Sequence, residues 1–245
     1  MKIGSPSWKK IIQTGAESLE IDVELQQLDQ FVRYAEELIR WNRKINLTAI
    51  TDAEALAIKH FLDSIAPAAL IPPGASLLDI GSGAGFPGIP LKIVRPDLKV
   101  TLIDAVRKKV SFQKHVIRTL GLQNIRAHQV RAEQFSSETP FDVVITRALS
   151  TLTEFVKLAL PLLTEDGVML SLKGVPAEAQ AEVAVLQSDV DRDRLAVALS
   201  SYRLSGIAAD RTIVAVKRKS APECSPSLNG QAFIPINIPH KDSRQ

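Results

Sequence analysis

The stretch Leu77-Leu78-Asp79-Ile80-Gly81-Ser82-Gly83-Ala84-Gly85-Phe86-Pro87-Gly88 decides the fold. Apolar residues and one acid lead into three glycines at alternate positions. A buried parallel strand that ends in a tight turn reads this way. Glycine takes positive φ at no steric cost and has no Cβ, so backbone there can come close to a ligand. Pro87 suits the first turn of the helix that should follow. Such a loop cradles a nucleotide-like cofactor.

Gly83-Ala84-Gly85-Phe86-Pro87-Gly88 also fits the dinucleotide fingerprint G-x-G-x-x-G, a weak signal when it stands alone. Asp79 separates the two cofactors. A pyrophosphate facing it would be repelled. S-adenosylmethionine has no phosphate and carries a sulfonium and an α-ammonium, which a nearby carboxylate attracts. The S-adenosylmethionine reading is therefore preferred, and a nicotinamide oxidoreductase is the enzymatic alternative. The bland reading is a glycine turn that only packs a strand against a helix.

Beyond Ser76, strand patterns alternate with helical ones. Strands are expected at Ser76–Ile80, Val100–Ile103, Ile125–Val130, Phe141–Ile145 and Gly167–Leu172. Helices are expected at Gly88–Val94, Arg107–Leu120, Thr151–Leu162 and Pro176–Asp189. This alternation predicts a parallel sheet with helices on both faces. Two further strands, Leu195–Arg203 and Thr212–Lys217, are joined through Gly206 by a connection too short for a helical crossover, so they pair antiparallel. The expected fold is α/β: a Rossmann-like class I S-adenosylmethionine-dependent methyltransferase, its seven-stranded, mostly parallel sheet closed by an antiparallel strand. That closing hairpin also argues against a nicotinamide dehydrogenase.

Upstream, Leu25, Leu28, Phe31, Val32, Ala35, Leu38 and Ile39 recur at helical spacing within a helix over Glu24–Asn46. Thr51-Asp52-Ala53-Glu54 resembles a capping box that starts a second helix, which Pro72-Pro73-Gly74 ends after about Leu70. The expected organisation is an N-terminal helical extension over 1–71, a methyltransferase domain over 72–219, and a flexible tail over 220–245, rich in Pro, Ser and Asn.

With 45% hydrophobic and 23% charged residues over 245 positions, the composition is that of a globular protein with one sizeable core. A net charge of +3 suits a nucleic-acid partner without requiring one. The single cysteine, Cys224, excludes a disulfide framework and points to a reducing cytoplasm. No Cys/His cluster has zinc spacing, so no metal is expected. Met1–Lys10 lacks the apolar core of a signal peptide, and no apolar run is long enough to span a membrane.

Ligands of open α/β sheets sit beyond the carboxyl ends of the strands. After the first strand this places Gly81, Gly83, Gly85 and Phe86. After the second it places Asp104, Ala105 and Val106, with Asp104 some twenty residues past the glycines, where an acid takes the ribose hydroxyls. Ala132 and Glu133 follow the third strand and would border the adenine. Arg147 ends the buried run Phe141–Ile145, and Lys173 follows the fifth strand. These two cations are the candidate catalytic residues, expected to face one cleft.

The acceptor can be narrowed. Methylation of exocyclic amines usually needs a Pro-Pro-aromatic motif after the fourth strand, where this chain has Thr146-Arg147-Ala148-Leu149. Methylation at carbon 5 of a pyrimidine needs a cysteine nucleophile, and Cys224 lies in the tail. A ring nitrogen with its own lone pair, such as guanine N7, needs no general base, and positioning with electrostatics suffices. A non-enzymatic RNA-binding module is the alternative from another class, with Arg40, Arg43, Lys44, Arg107, Lys108, Lys109 and Lys114 as its basic patch. A complete cofactor pocket argues against it.

Trp41-Asn42-Arg43-Lys44-Ile45-Asn46-Leu47-Thr48, His60-Phe61-Leu62-Asp63-Ser64, the Asp79–Pro90 segment, Arg131-Ala132-Glu133, Thr146-Arg147-Ala148 and Leu172-Lys173-Gly174 occur in one order. Together they resemble the bacterial RsmG (GidB) methyltransferases of small-subunit ribosomal RNA, over about Leu25 to Lys217. The resemblance implies methyl transfer from S-adenosylmethionine to guanine N7 in the 530 loop of 16S rRNA, guanine 527. It implies 16S rRNA or the small ribosomal subunit as partner; the expected enzyme is a cytoplasmic monomer. By the same resemblance Gly81, Phe86, Asp104-Ala105-Val106, Ala132-Glu133 and Arg147 border the cofactor, and Arg147 and Lys173 hold the guanine or its phosphate. His60 and Asp63 either line the cleft or serve packing. Many relatives end in a Tyr-Pro-Arg tail, whereas this chain ends Phe233-Ile234-Pro235-Ile236-Asn237-Ile238-Pro239-His240.

Overall fold

The computed structural model describes residues 1–147, 151–189, 194–204, 206 and 210–219. The tail over 220–245 with Cys224, and Ala148 and Leu149 after the fourth strand, lie outside the described residues.

Seven strands form one sheet: β1 (Ser76–Ile80), β2 (Lys99–Asp104), β3 (Ile125–Gln129), β4 (Phe141–Thr146), β5 (Leu163–Lys173), β6 (Leu195–Tyr202) and β7 (Arg211–Arg218). Their order is β3-β2-β1-β4-β5-β7-β6. The first five run parallel, and β7 runs antiparallel to both neighbours, β5 and β6. This is the expected sheet with its closing antiparallel strand. The interior strand β1 is buried from Leu77 to Ile80, as a strand covered on both faces must be. β5 begins at Leu163, four residues before the expected Gly167.

Alternate residues of each strand feed two separate cores. Leu77, Leu102, Val143, Ile145, Leu170 and Leu172 point to one face, where they meet the N-terminal helices. Leu78, Ile80, Val144, Met169 and Val214 point to the other, against α7 (Leu152–Ala159) and α8 (Pro176–Asp189). Full burial of each such side chain contributes about 1.5–3 kcal/mol before chain entropy is set against it.

Sequence periodicity missed α1 (Pro6–Glu17). Ser5 caps it, Pro6 starts it, and it buries Trp8, Ile12 and Ala16 completely. Trp8 donates its indole N–H to the Ala53 carbonyl at 2.8 Å, which anchors α1 to the next helical segment. α2 (Leu25–Ile45) buries Leu28, Phe31, Ala35 and Leu38 of the expected stripe and adds Tyr34, while Val32 and Ile39 are half-buried and Leu25, at the helix start, is exposed. The segment after it is capped by Asp52, which accepts from the Ala55 amide, rather than by Thr51. It is also not one regular helix. A short α3 (Ala53–Leu56) widens into a π-helix over Ala57–Leu62, returns to α4 (Asp63–Ile65) and tightens into a 3₁₀ turn over Ala66–Leu70.

The remaining helices are α5 (Gly88–Val94) and α6 (Arg107–Thr119). Pro87 takes the N-cap position of α5, one residue before the expected first turn. Among the described residues no helix is long and apolar enough to cross a membrane.

Candidate cofactor and substrate site

The glycine loop joins β1 to α5 and gives its glycines different tasks. Gly81, Gly83 and Gly85 have φ of 71°, 59° and 98°. A Cβ on Gly81 would meet nothing within 4 Å, and one on Gly83 only the Gly81 carbonyl oxygen at 3.9 Å. These two border open space. A Cβ on Gly85 would lie 2.4 Å from Ile89 Cδ1 and 2.8 Å from the Tyr34 hydroxyl. Gly85 thus turns toward packed side chains, while Gly81 and Gly83 turn toward room for a ligand.

Two acids from neighbouring strands brace the loop, Asp79 of β1 and Asp104 of β2. Asp79 is fully buried, and its Oδ2 accepts the Gly88 amide at 2.8 Å. Its Oδ1 is buried without any hydrogen-bond partner. Burial raises the Asp79 pKa to about 7, opposed by the Gly88 amide and by Arg147. Asp104, at the end of β2, holds the loop from the side. Its Oδ2 accepts the Gly83 amide at 2.9 Å and its Oδ1 the Val106 amide at 2.8 Å. Each oxygen keeps a second lone pair. Ala105, Val106 and Glu133 are exposed and Ala132 half-buried, at the ends of β2 and β3.

Gln113, absent from the expected site, completes the loop's support. It is fully buried on α6 and donates to Ser82 Oγ and the Gly83 carbonyl, both at 2.8 Å. The signal was there: Gln113 interrupts the stripe Val110, Gln113, Val116 that α6 buries. Tyr34 on α2 ties the loop from the other side, donating to the Ala84 carbonyl.

Phe86 leaves the loop into an aromatic stack. Its ring lies between Tyr34, at 5.2 Å and 12° between planes, and His60, at 4.6 Å and 14°. The Arg147 guanidinium sits 4.9 Å from the Phe86 centroid, a cation–π distance. Arg147 also donates to His60 Nδ1 at 3.2 Å and to the Lys59 carbonyl at 3.2 Å. With Nδ1 accepting, the His60 proton belongs on Nε2, 2.8 Å from Thr48 Oγ1. Burial and Arg147 push the His60 pKa down to about 3, so the ring is neutral. The π-helix carries His60, Lys59 and Phe61 to this place, a common use of such widened turns.

Asp63 stands behind Arg147. Its carboxylate lies 3.8 Å from Arg147 Nη1, 3.6 Å from Arg211 Nε and 2.8 Å from the Tyr202 hydroxyl, which donates to it. Sequence reasoning named His60 and Asp63 without choosing a role. Both are buried beside Arg147.

Lys173 departs from expectation. Register pairs Thr146 with Ser171, so Arg147 continues level with Leu172, and Lys173 falls on the opposite face of the sheet. Its ammonium pairs with Glu182 of α8 at 2.8 Å. Glu182 in turn accepts the Leu152 amide at 2.6 Å. Lys173 and Arg147 therefore do not face one cleft. The alternating direction of strand side chains sends them apart.

Residues 27–199 match the family model described as rRNA small subunit methyltransferase G. The chain belongs to this family. The Geotalea uraniireducens protein named ribosomal RNA small subunit methyltransferase G is 47% identical over 178 residues, 72% of this chain and 81% of the relative. The protein of the same name from Geobacter sulfurreducens is 38% identical over 210 residues, 84% of this chain and 96% of the relative. Family membership thus covers both the helical segment that carries His60 and the sheet that carries Arg147. In fold, the chain resembles an S-adenosylmethionine-dependent methyltransferase from Aquifex aeolicus, at TM-score 0.51 and 20% identity over 67% of this chain and 93% of the other.

The site fits S-adenosylmethionine. The unpartnered Asp79 Oδ1 suits a cationic group, and the open side of Gly81 and Gly83 leaves the space it needs.

Proposed function

We propose that this protein transfers the methyl group of S-adenosylmethionine to N7 of a guanine in the 530 loop of 16S rRNA, guanine 527 by family resemblance. The observation that carries this reading is the buried, unpartnered carboxylate oxygen of Asp79 beside an open glycine loop, in a chain of the rRNA small subunit methyltransferase G family. The relatives' names support small-subunit rRNA as the substrate class. Residues 72–219 would form the transferring domain and 1–71 the extension that braces it. The same reading makes the enzyme a cytoplasmic monomer whose partner is the small subunit or its rRNA.

S-adenosylmethionine supplies an electrophilic methyl group on its sulfonium. Asp79 would face its positive end, and the spare lone pairs of Asp104 its ribose hydroxyls. Val106 and Ala132 would border the adenine. Arg147 is fixed against Phe86 and His60 at the mouth of the loop, where it would orient the guanine. His60 is not a base for this reaction, since its Nδ1 accepts from Arg147 and its pKa is far below neutrality. Guanine N7 needs none, because it presents a lone pair and no proton. In-line positioning is then the main contribution of the protein.

The test is to incubate the protein with labelled S-adenosylmethionine and either small subunits or protein-free 16S rRNA lacking the modification, then map the methylated base. One N7-methylguanine in the 530 loop is expected. Label on another atom or another base overturns the proposal. Titration with S-adenosylhomocysteine and with NAD separates the nicotinamide alternative.

A further inference from the structure

The 28 residues between Asp104 and Glu133 contain seven Lys or Arg and no Asp or Glu. The chain as a whole carries only +3, so everything outside this segment is net negative by four. The structure makes the segment one unit. It is the α6 helix packed on β3, and β3 is the edge strand of the sheet.

A shallow groove of about 540 Å³ opens between the second half of α6 and the edge of β3. Lys114 and Arg118 line it from the helix, and Arg126 and His128 line it at the sheet edge. These two alternate with the α6-facing Ile125 and Ala127 and leave the strand on its other face, Arg126 donating to Thr101 Oγ1 at 3.2 Å. All four side chains are exposed. Among the described residues, no carboxylate forms an ion pair with Lys114, Arg118 or Arg126. The charges crowd one another: besides burial, Arg126 and Lys114 both push the His128 pKa down.

Two ordinary explanations fall short. Cations on an edge strand discourage pairing with another chain, which accounts for Arg126 and His128 but not for Lys114 and Arg118. A solvated helix normally mixes Glu with Lys at i, i+4 for support, and α6 has no acid at all. Like charges held together with no counter-charge point to an anionic ligand with repeated charges.

We infer that this groove binds consecutive backbone phosphates of the RNA that presents the target guanine. The inference rests on the reading that the substrate is RNA. The N-terminal end of α6 adjoins Val106 and the cofactor loop, and the helix spans about 20 Å at ~1.5 Å per residue. One helix thus connects the reaction site to a phosphate track at the sheet edge. Contacts of this kind supply affinity and register without choosing the base.

The test compares wild-type protein with the triple variant Lys114→Gln/Arg118→Gln/Arg126→Gln. A second variant of equal charge change, Lys2→Gln/Lys10→Gln/Arg203→Gln, controls for net charge. Binding of a 16S rRNA fragment containing the 530 loop is followed by fluorescence anisotropy across a salt series. The groove variant should bind at least tenfold more weakly. Each lost phosphate contact should also flatten the plot of log affinity against log salt by roughly 0.7–0.9. S-adenosylhomocysteine affinity and melting temperature should not change, and the control should bind as wild type. Equal RNA affinity and salt slope in the groove variant and wild type overturn the inference. An equal loss in the control also overturns it. Methyl transfer by the wild type, measured in parallel, tests the substrate reading separately: transfer with no groove effect refutes only the groove.

Discussion

Tyr202 donates its hydroxyl proton to Asp63 Oδ1 at 2.8 Å, across 139 residues of chain. The bond joins the end of β6 to the helical segment before the sheet. Burial and Asp63 raise the Tyr202 pKa, so the phenol stays a donor. Arg147 and Arg211 face the same carboxylate. One buried anion therefore holds a tyrosine and two guanidiniums in place behind the Phe86 stack.

Asp63→Ala should be the most damaging of the single changes near Arg147. It strands two partly buried cations, a loss on the order of 3 kcal/mol. In a chain of this size each kcal/mol lowers the melting temperature by about 2–4 °C. Calorimetry should show a fall of roughly 6–12 °C by that conversion. Asp63→Asn keeps an acceptor for Tyr202 and should fall less. Equal melting temperatures for Asp63→Ala and wild type would remove Asp63 from its central place.

The raised pKa of Asp79 makes both stability and cofactor affinity depend on pH. Its folded pKa, about 7, lies above the value of 3.8 usual for the side chain. The folded state thus holds the proton more tightly than the unfolded state. The stability this gives is present below about pH 4 and is lost as pH rises through 7. Asp79→Asn should flatten that loss. A cationic cofactor favours the ionised carboxylate, so affinity should fall as pH drops below 7, by up to tenfold per unit. Isothermal titration at pH 6, in buffers of different ionisation enthalpy, should detect proton release on binding. Affinity and proton count that do not change between pH 5.5 and 8 would contradict it.

Asp104→Ala should act on the loop as well as on the cofactor. Its oxygens take the Gly83 and Val106 amides, and hydrogen bonds to a charged group contribute about 1.5–3 kcal/mol. Affinity for S-adenosylhomocysteine should fall tenfold or more. The Gly83 amide should exchange with solvent faster even without ligand. Normal affinity with unchanged exchange would show that the carboxylate does neither job.

The glycines should separate by readout. Gly83→Val places a side chain in open space at a φ of 59°, a strain of about 1–2 kcal/mol. It should abolish cofactor binding with a modest loss of melting temperature. Gly85→Ala drives a methyl group into Ile89 and the Tyr34 hydroxyl, so its cost should appear in the ligand-free protein. Matching melting temperatures for the two variants would argue that the glycines do one job.

Sequence patterns located the sheet well because buried parallel strands are nearly continuous apolar runs. The glycine loop was equally legible, since positive φ selects glycine and leaves a spacing. Other parts needed tertiary context. Trp8, Ile12 and Ala16 make a stripe too sparse to announce α1 without its partners. The π-helix at Ala57–Leu62 is buried on several sides, so no period betrays its extra width. Lys173 was assigned by its place at a strand end alone. Counting strand parity from Leu170 and Leu172 would have put it on the far face.

The order of the strands has a consequence for how the molecule comes into being. β1 reaches its final place only when β4 arrives beside it, more than sixty residues later in the chain. β7 must arrive before β6 can join the sheet, because among the described residues β6 pairs only with β7. A growing chain that stops short of Tyr202 has no phenol to meet Asp63, and one that stops short of Arg211 lacks a cation there too. The polar cluster behind Arg147 is therefore completed only after β6 and the start of β7 have been made. Until then Asp63 is a carboxylate without its full set of partners, and no N-terminal piece that stops before Arg211 contains the finished cluster.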